Sequence, residues 1–249
     1  MGSYAKRGYT SHNTQLPLAV KWLLIVNTAL FVVYFFAVRA SYGDWFRPFG
    51  LSPMWVIEGF AVWQFVTYLF LHSPYGFTHI LFNMLSLWMF GKDLENTWGA
   101  RRFLQYYFFC GIGAGVLAVA LNLVFGHRDS WTIGASGAIY GLLLAFGVLF
   151  PDQQILFNFL FPMKAKYFVM IIGAITFMST FRETGDSVSH VAHLAGMLFG
   201  FVYLKGGIAK IDLLGPAEAW YRNWKRGRAK RKFQVYMRKN NPDRDRTIH

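Results

Sequence analysis

Between Leu18 and Lys205 the chain runs repeatedly for about twenty residues with almost no charge, and no other feature constrains its fold as much. A backbone inside hydrocarbon finds no water to bond. Such segments therefore fold as helices that satisfy their own N–H and C=O groups. The apolar runs predict spans at about 18–38, 78–97, 103–125, 134–150, 163–180 and 188–204. Composition agrees: charged residues make up 15% of the chain and hydrophobic residues 55%, against roughly 25% charged in soluble domains. The expected fold class is an all-α membrane protein with six transmembrane helices.

Residues 1–17 read as a polar N-terminal segment, 18–205 as the six-helix domain and 206–249 as a basic tail. Within the domain, residues 39–77 form a long connector rich in Trp, Phe, Tyr, Pro and Gly. Trp45, Trp55 and Trp63 favour a bilayer interface, so the connector reads as folded and partly embedded. The N-terminus has no short apolar core followed by a small-residue cleavage site, so no removable signal peptide is expected. The single cysteine, Cys110, sits in an apolar span and has no partner for a disulfide.

Charge placement orients the spans. With the N-terminus in the cytoplasm, 21 of the 25 Lys and Arg residues fall on the cytoplasmic side. Only Arg39, Arg47, Arg128 and Arg182 fall outside, as the positive-inside rule requires. A pI near 9.9 then points to the anionic cytoplasmic leaflet rather than to nucleic acid. Spans two, four and six all start on the outer side. His79, Ser136 and His193 lie near those starts, so they share one depth below the outer surface. Polar residues in such a layer mark a site.

Gly134-Ala135-Ser136-Gly137 reads as a nucleophile turn. Glycine lets the backbone turn tightly, and a helix N-terminus offers unpaired N–H groups to an oxyanion. The alternative is packing alone, because Gly137 and Gly141 form a small-xxx-small pair. Gly196 and Gly200 form a second pair one turn below His193, which suggests that spans four and six touch. His193 is then the candidate general base for Ser136. His79 and Asn83, at i and i+4, share a helix face and are candidate oxyanion donors; the alternative is an interhelical hydrogen bond. Tyr140, one turn below Ser136, is a candidate support for the His193 ring, or an ordinary core aromatic. His190 and His193 share a face, which raises a metal site. No acidic residue or cysteine lies near them in the apolar spans to complete its shell, so no metal and no cofactor is expected. No acid for a full triad appears either: Asp129, Glu183 and Asp186 lie in loops. A Ser–His dyad is the economical reading.

These residues resemble the rhomboid family of intramembrane serine proteases. The carriers are Gly134-Ala135-Ser136-Gly137 with Tyr140 and Gly141, His193-Leu194-Ala195-Gly196, and His79 with Asn83, over roughly residues 18–205. The resemblance implies a six-helix rhomboid-like bundle, with Ser136 as nucleophile and His193 as base. It implies an oxyanion site from His79, Asn83 and the Ser136 backbone, with Tyr140 stacked on the His193 ring. Gly134, Gly137, Gly141, Gly196, Gly200 and His190 support that site. It further implies a membrane-embedded first connector and a lateral gate at span five, with Phe168 and Phe177. One departure is Gln64 after Trp63, where many members carry Arg. The implied substrates are transmembrane proteins with a helix-breaking segment. The implied location is a bacterial inner membrane, with both termini cytoplasmic.

Two other readings compete. A catalytically inactive rhomboid-like protein would bind membrane clients, and its usual sign is loss of the serine or histidine. A small transporter would place ionisable residues through the midplane, where this chain has almost no Asp or Glu. From Pro216 to Lys239 basic residues interleave with Trp220, Tyr221, Trp224, Phe233 and Tyr236. That stretch is read as an amphipathic helix on anionic lipid, the alternative being a solvated basic tail.

Overall fold

The computed structural model describes residues 16–157, 161–180, 187–206 and 215–240. The first fifteen residues, the loop with Arg182, Glu183 and Asp186, and the end of the tail lie outside the described residues. The chain divides into two compact units, Met1–Ala209 and Lys210–His249.

The first unit opens with α1, Leu18–Arg39. Its N-terminus is closed by Glu95, a buried carboxylate on α4, Phe77–Trp98. Glu95 accepts hydrogen bonds from the Ala19 and Val20 N–H groups at 2.9 and 2.8 Å. These donors have no partner within their own helix, and an anion suits the positive end of a helix. Bonds to a charged acceptor are worth about 1.5–3 kcal/mol each.

The connector after α1 is folded into short helical turns. A 3-10 turn, Gly43–Phe49, precedes α2, Pro53–Ile57, and α3, Gln64–Thr67, which runs into a 3-10 turn, Tyr68–Phe70. Gln64 is fully buried and ties these turns together. Its Nε2 donates to the Pro48 carbonyl at 3.1 Å, and its Oε1 accepts from the Ser52 N–H at 3.0 Å. The amide thus satisfies both its ends here, where the family resemblance led one to expect an arginine. Trp131 Nε1 donates to the Arg47 carbonyl at 3.2 Å, and a backbone bridge joins Leu51 to Thr132. The connector is therefore held against the loop that leads to Ser136.

Helices α5, Ala100–Val124, α6, Ser136–Leu149, and α8, Ser187–Lys205, form the closely packed centre. α7, Ala165–Ser179, lies to one side and buries only Ala165, Val169 and Thr176 among its described residues. Many large apolar side chains point outward, including Trp22, Phe36, Phe82, Met170 and Phe201. Large apolar side chains exposed in this number mark a surface that meets lipid or protein.

One expectation needs correction, and the count of six spans is not settled by helix length. The chain is mostly but not wholly helical: β1, Gln154–Phe157, pairs antiparallel with β2, Phe161–Lys164, with Gln154 opposite Lys164. Strands of four residues are too short to print a period of two on the sequence. By length and composition alone, only α1 and α5 are long and apolar enough to cross a bilayer among the described residues. α6 and α7 are apolar but shorter, at 14 and 15 residues.

The second unit contains α9, Gly215–Asn240. The helix expected in the tail is present, but not its single apolar face. Trp224 and Phe233 are both exposed, and nine residues at about 100° each put them on opposite sides of the helix.

Candidate active site

Ser136 is the first residue of α6. Before it, Gly134 takes a φ of +124°, a conformation that side chains rarely adopt. Its N–H donates to the Tyr68 carbonyl at 2.9 Å, which fixes the turn. The first bond of the helix runs from the Ile139 N–H to the Ala135 carbonyl at 3.0 Å. The N–H groups of Ser136, Gly137 and Ala138 precede that bond and open from the helix end, beside the serine side chain.

His193 reaches Ser136 from α8. Its Nε2 lies 2.7 Å from Ser136 Oγ. The serine hydroxyl can donate to Nε2 only if the ring carries its proton on Nδ1. That Nδ1 is buried and has no hydrogen-bond partner among the described residues. The ring is held by stacking instead: Tyr140 lies parallel to it, with centroids 4.4 Å apart and planes 3° apart. His190 meets the same ring edge-on at 6.2 Å.

His79 comes to the other side of the turn from α4. A Cβ added at Gly134 would lie 2.9 Å from His79 Nε2 and 3.9 Å from Ser136 Oγ. Only glycine therefore fits between the imidazole and the serine. Asn83 is placed differently from a free donor: its Nδ2 donates to the His79 carbonyl of its own helix at 2.7 Å. One amide hydrogen is thereby engaged, and the second remains to face the cavity that Asn83 lines.

The glycines divide into two roles. Gly134 belongs to the turn. The others let helices approach: a Cβ at Gly196 would strike the Gly137 carbonyl, and one at Gly141 would lie 2.5 Å from Cys110 Sγ. A Cβ at Gly200 would meet the Tyr106 hydroxyl, away from the reacting atoms. Close packing and the turn before Ser136 are thus parts of one construction.

A cavity of about 1440 Å³ opens on these residues. Its lining mixes polar groups such as Thr78, Asn122 and Ser130 with the apolar side chains Phe168 and Ile172 of α7. It is larger than the roughly 300–1,000 Å³ of small-molecule pockets and has room for an extended peptide and water. Two contacts were not foreseen. Thr176 Oγ1 lies 3.2 Å from the Tyr140 hydroxyl. His72, fully buried, stands 5.2 Å from His79, ring to ring. Neither residue carries a local signal, because a lone Thr or His in an apolar stretch gains meaning only from its neighbour in space.

The family model of the Rhomboid domain matches residues 59–209. A provisionally named rhomboid protease of Bacillus subtilis, YdcA, is 33% identical over 142 residues, covering 56% of this chain and 64% of that protein. Rhomboid-like protein 11 of Arabidopsis thaliana, chloroplastic, is 27% identical over 198 residues, covering 73% of this chain and 62% of that protein. The rhomboid protease GlpG of Haemophilus influenzae is 24% identical over 181 residues, covering 73% of this chain and 88% of that protein. The chain thus spans less than two thirds of the length of the first two relatives.

Proposed function

The chain belongs to the rhomboid family, and from that premise we propose that it is a serine endopeptidase that cuts transmembrane proteins. Family membership makes it an integral membrane protein. The observation that carries the proposal is the 2.7 Å contact between Ser136 Oγ and His193 Nε2. A hydroxyl is a weak nucleophile until an adjacent base takes its proton.

In this reading Ser136 Oγ attacks the scissile carbonyl carbon while His193 Nε2 accepts the serine proton. The oxyanion that forms is met by the first-turn N–H groups of α6, the His79 ring and the free amide hydrogen of Asn83. Donors held in place before the charge appears need no reorganisation. His193 then gives its proton to the departing amine, the C–N bond breaks, and an acyl-enzyme remains. Water from the cavity attacks the ester carbonyl while His193 takes its proton; the C–Oγ bond then breaks, His193 returns the proton to Oγ, and the new carboxyl end leaves with Ser136 restored. Every step uses side chains and backbone of this chain.

The same reading gives α1, α4, α5, α6, α7 and α8 as six membrane spans with both termini cytoplasmic, in a bacterial inner membrane. The charge asymmetry of the sequence supports that orientation. α6 spans only about 21 Å at 1.5 Å per residue, against a hydrocarbon layer of about 30 Å, so Ser136 lies below the outer boundary and the cavity supplies the water. Substrates are transmembrane proteins whose helix unwinds locally into the cavity. The basic helix α9 has anionic lipid as its partner through charge, since its aromatic residues do not form one face.

The test is cleavage of a transmembrane substrate by the purified protein in liposomes. Ser136→Ala and His193→Ala should each lower turnover by at least about a thousandfold with unchanged helical content. Turnover retained by either variant would refute the proposal.

A further inference from the structure

We propose that Thr176, on α7, is a positioning residue for His193 and acts through Tyr140. The proposal rests on the serine-protease reading above. Thr176 is the single polar side chain among the buried described residues of α7, with 4% of its surface exposed. Its hydroxyl has one proton, which the Ile172 carbonyl accepts at 2.8 Å. Its lone pairs are left to face the Tyr140 hydroxyl at 3.2 Å, so Tyr140 is the donor in that bond. One end of Tyr140 is thereby tied to α7, while its ring lies flat on the His193 imidazole.

In a Ser-His-Asp triad a carboxylate on Nδ1 sets the plane and tautomer of the base. Here Nδ1 has no hydrogen-bond partner among the described residues. The Tyr140 ring is what fixes the plane of the base, and Thr176 is what fixes the Tyr140 ring. A line of contacts therefore runs from α7 through Tyr140 and His193 to Ser136. α7 also lines the cavity through Phe168 and Ile172 and is sparsely buried. A substrate that displaces α7 on entry shifts the Thr176 hydroxyl, and the orientation of the base follows.

The experiment measures kcat and KM for a transmembrane substrate with the full-length protein in liposomes. Thr176→Val keeps the shape and removes the acceptor. It should lower kcat about three- to tenfold, the worth of one hydrogen bond, with KM unchanged, and Thr176→Ser should restore kcat to within about twofold. Tyr140→Phe removes the same bond from the α6 side, so it should match Thr176→Val, and the double variant should be no slower than either single one. The Tyr140→Phe arm also serves if the valine variant folds poorly. A wild-type kcat in Thr176→Val, a loss confined to KM, a failure of serine to rescue, or additive losses would each overturn the proposal. In all those cases the wild type still cleaves. An inert wild type would instead sink the serine-protease reading, and this proposal with it.

Discussion

α6 and α8 meet backbone against backbone, whereas α7 meets its neighbours through side-chain tips. At the first seam a Cβ on Gly196 has no space, because the Gly137 carbonyl already occupies it. At α7 the corresponding position, Gly173, has only the flexible end of Met197 nearby, at 3.7 Å. α6 buries nine of its 14 residues and α7 three of its 15. The difference teaches how a bundle reconciles precision with access. Ser136 and His193 ride on the pair that cannot shift independently, so their 2.7 Å contact is preset. α7, which lines the cavity, is more sparsely buried than α6, and regions of few buried contacts open at the lowest free energy.

The largest expected effect breaks the seam. Gly196→Ala should destabilise the protein by about 3 kcal/mol or more, because neither backbone can yield to the added methyl group. Gly173→Ala on α7 should stay within about 1 kcal/mol and lean toward stabilisation, since alanine is the better helix former. Thermal unfolding of both variants in one detergent measures the contrast, and equal costs would erase it.

A smaller effect sits where the hairpin hands over to α7. Asp152 Oδ1 lies 3.1 Å from both Lys164 Nζ and Lys166 Nζ. Hydrogen bonds from Lys166 and Lys164 hold its carboxyl below the usual carboxylate range. A carboxyl lowered on folding stabilises above its unfolded pKa and loses that contribution as pH falls through the folded value. Amide protection at the start of α7 should therefore decline as pH drops below about 4. Asp152→Asn should already show that lower protection at neutral pH. Because the pair is solvated, the change should be modest. Equal protection in the two proteins at neutral pH would mean that the tie does not hold α7.

Much of this was legible in the sequence, and the rest was not for physical reasons. The apolar runs gave away the helices because lipid leaves a backbone no other choice. The meeting of Ser136 with His193 was legible in the matched glycine pairs that let their helices touch. Thr176 was illegible because threonine inside an apolar helix is ordinary until Tyr140 is seen beside it. Glu95 closes a helix start 75 and 76 residues earlier in the chain, and sequence distance hides such a cap. Gln64 was noticed only as a departure, and its two bonds to Pro48 and Ser52 appear only once the connector folds. Asn83 is expected from the sequence as an oxyanion donor, and the bond from its amide back to its own helix shows only in the fold.

The central claim is tested most directly by mapping the covalent adduct of a fluorophosphonate on the full-length protein in liposomes by mass spectrometry. One adduct is predicted, on the peptide that holds Ser136, absent in Ser136→Ala and formed at least about a hundredfold more slowly in His193→Ala. An adduct on any other residue, or labelling that survives Ser136→Ala, would contradict the account.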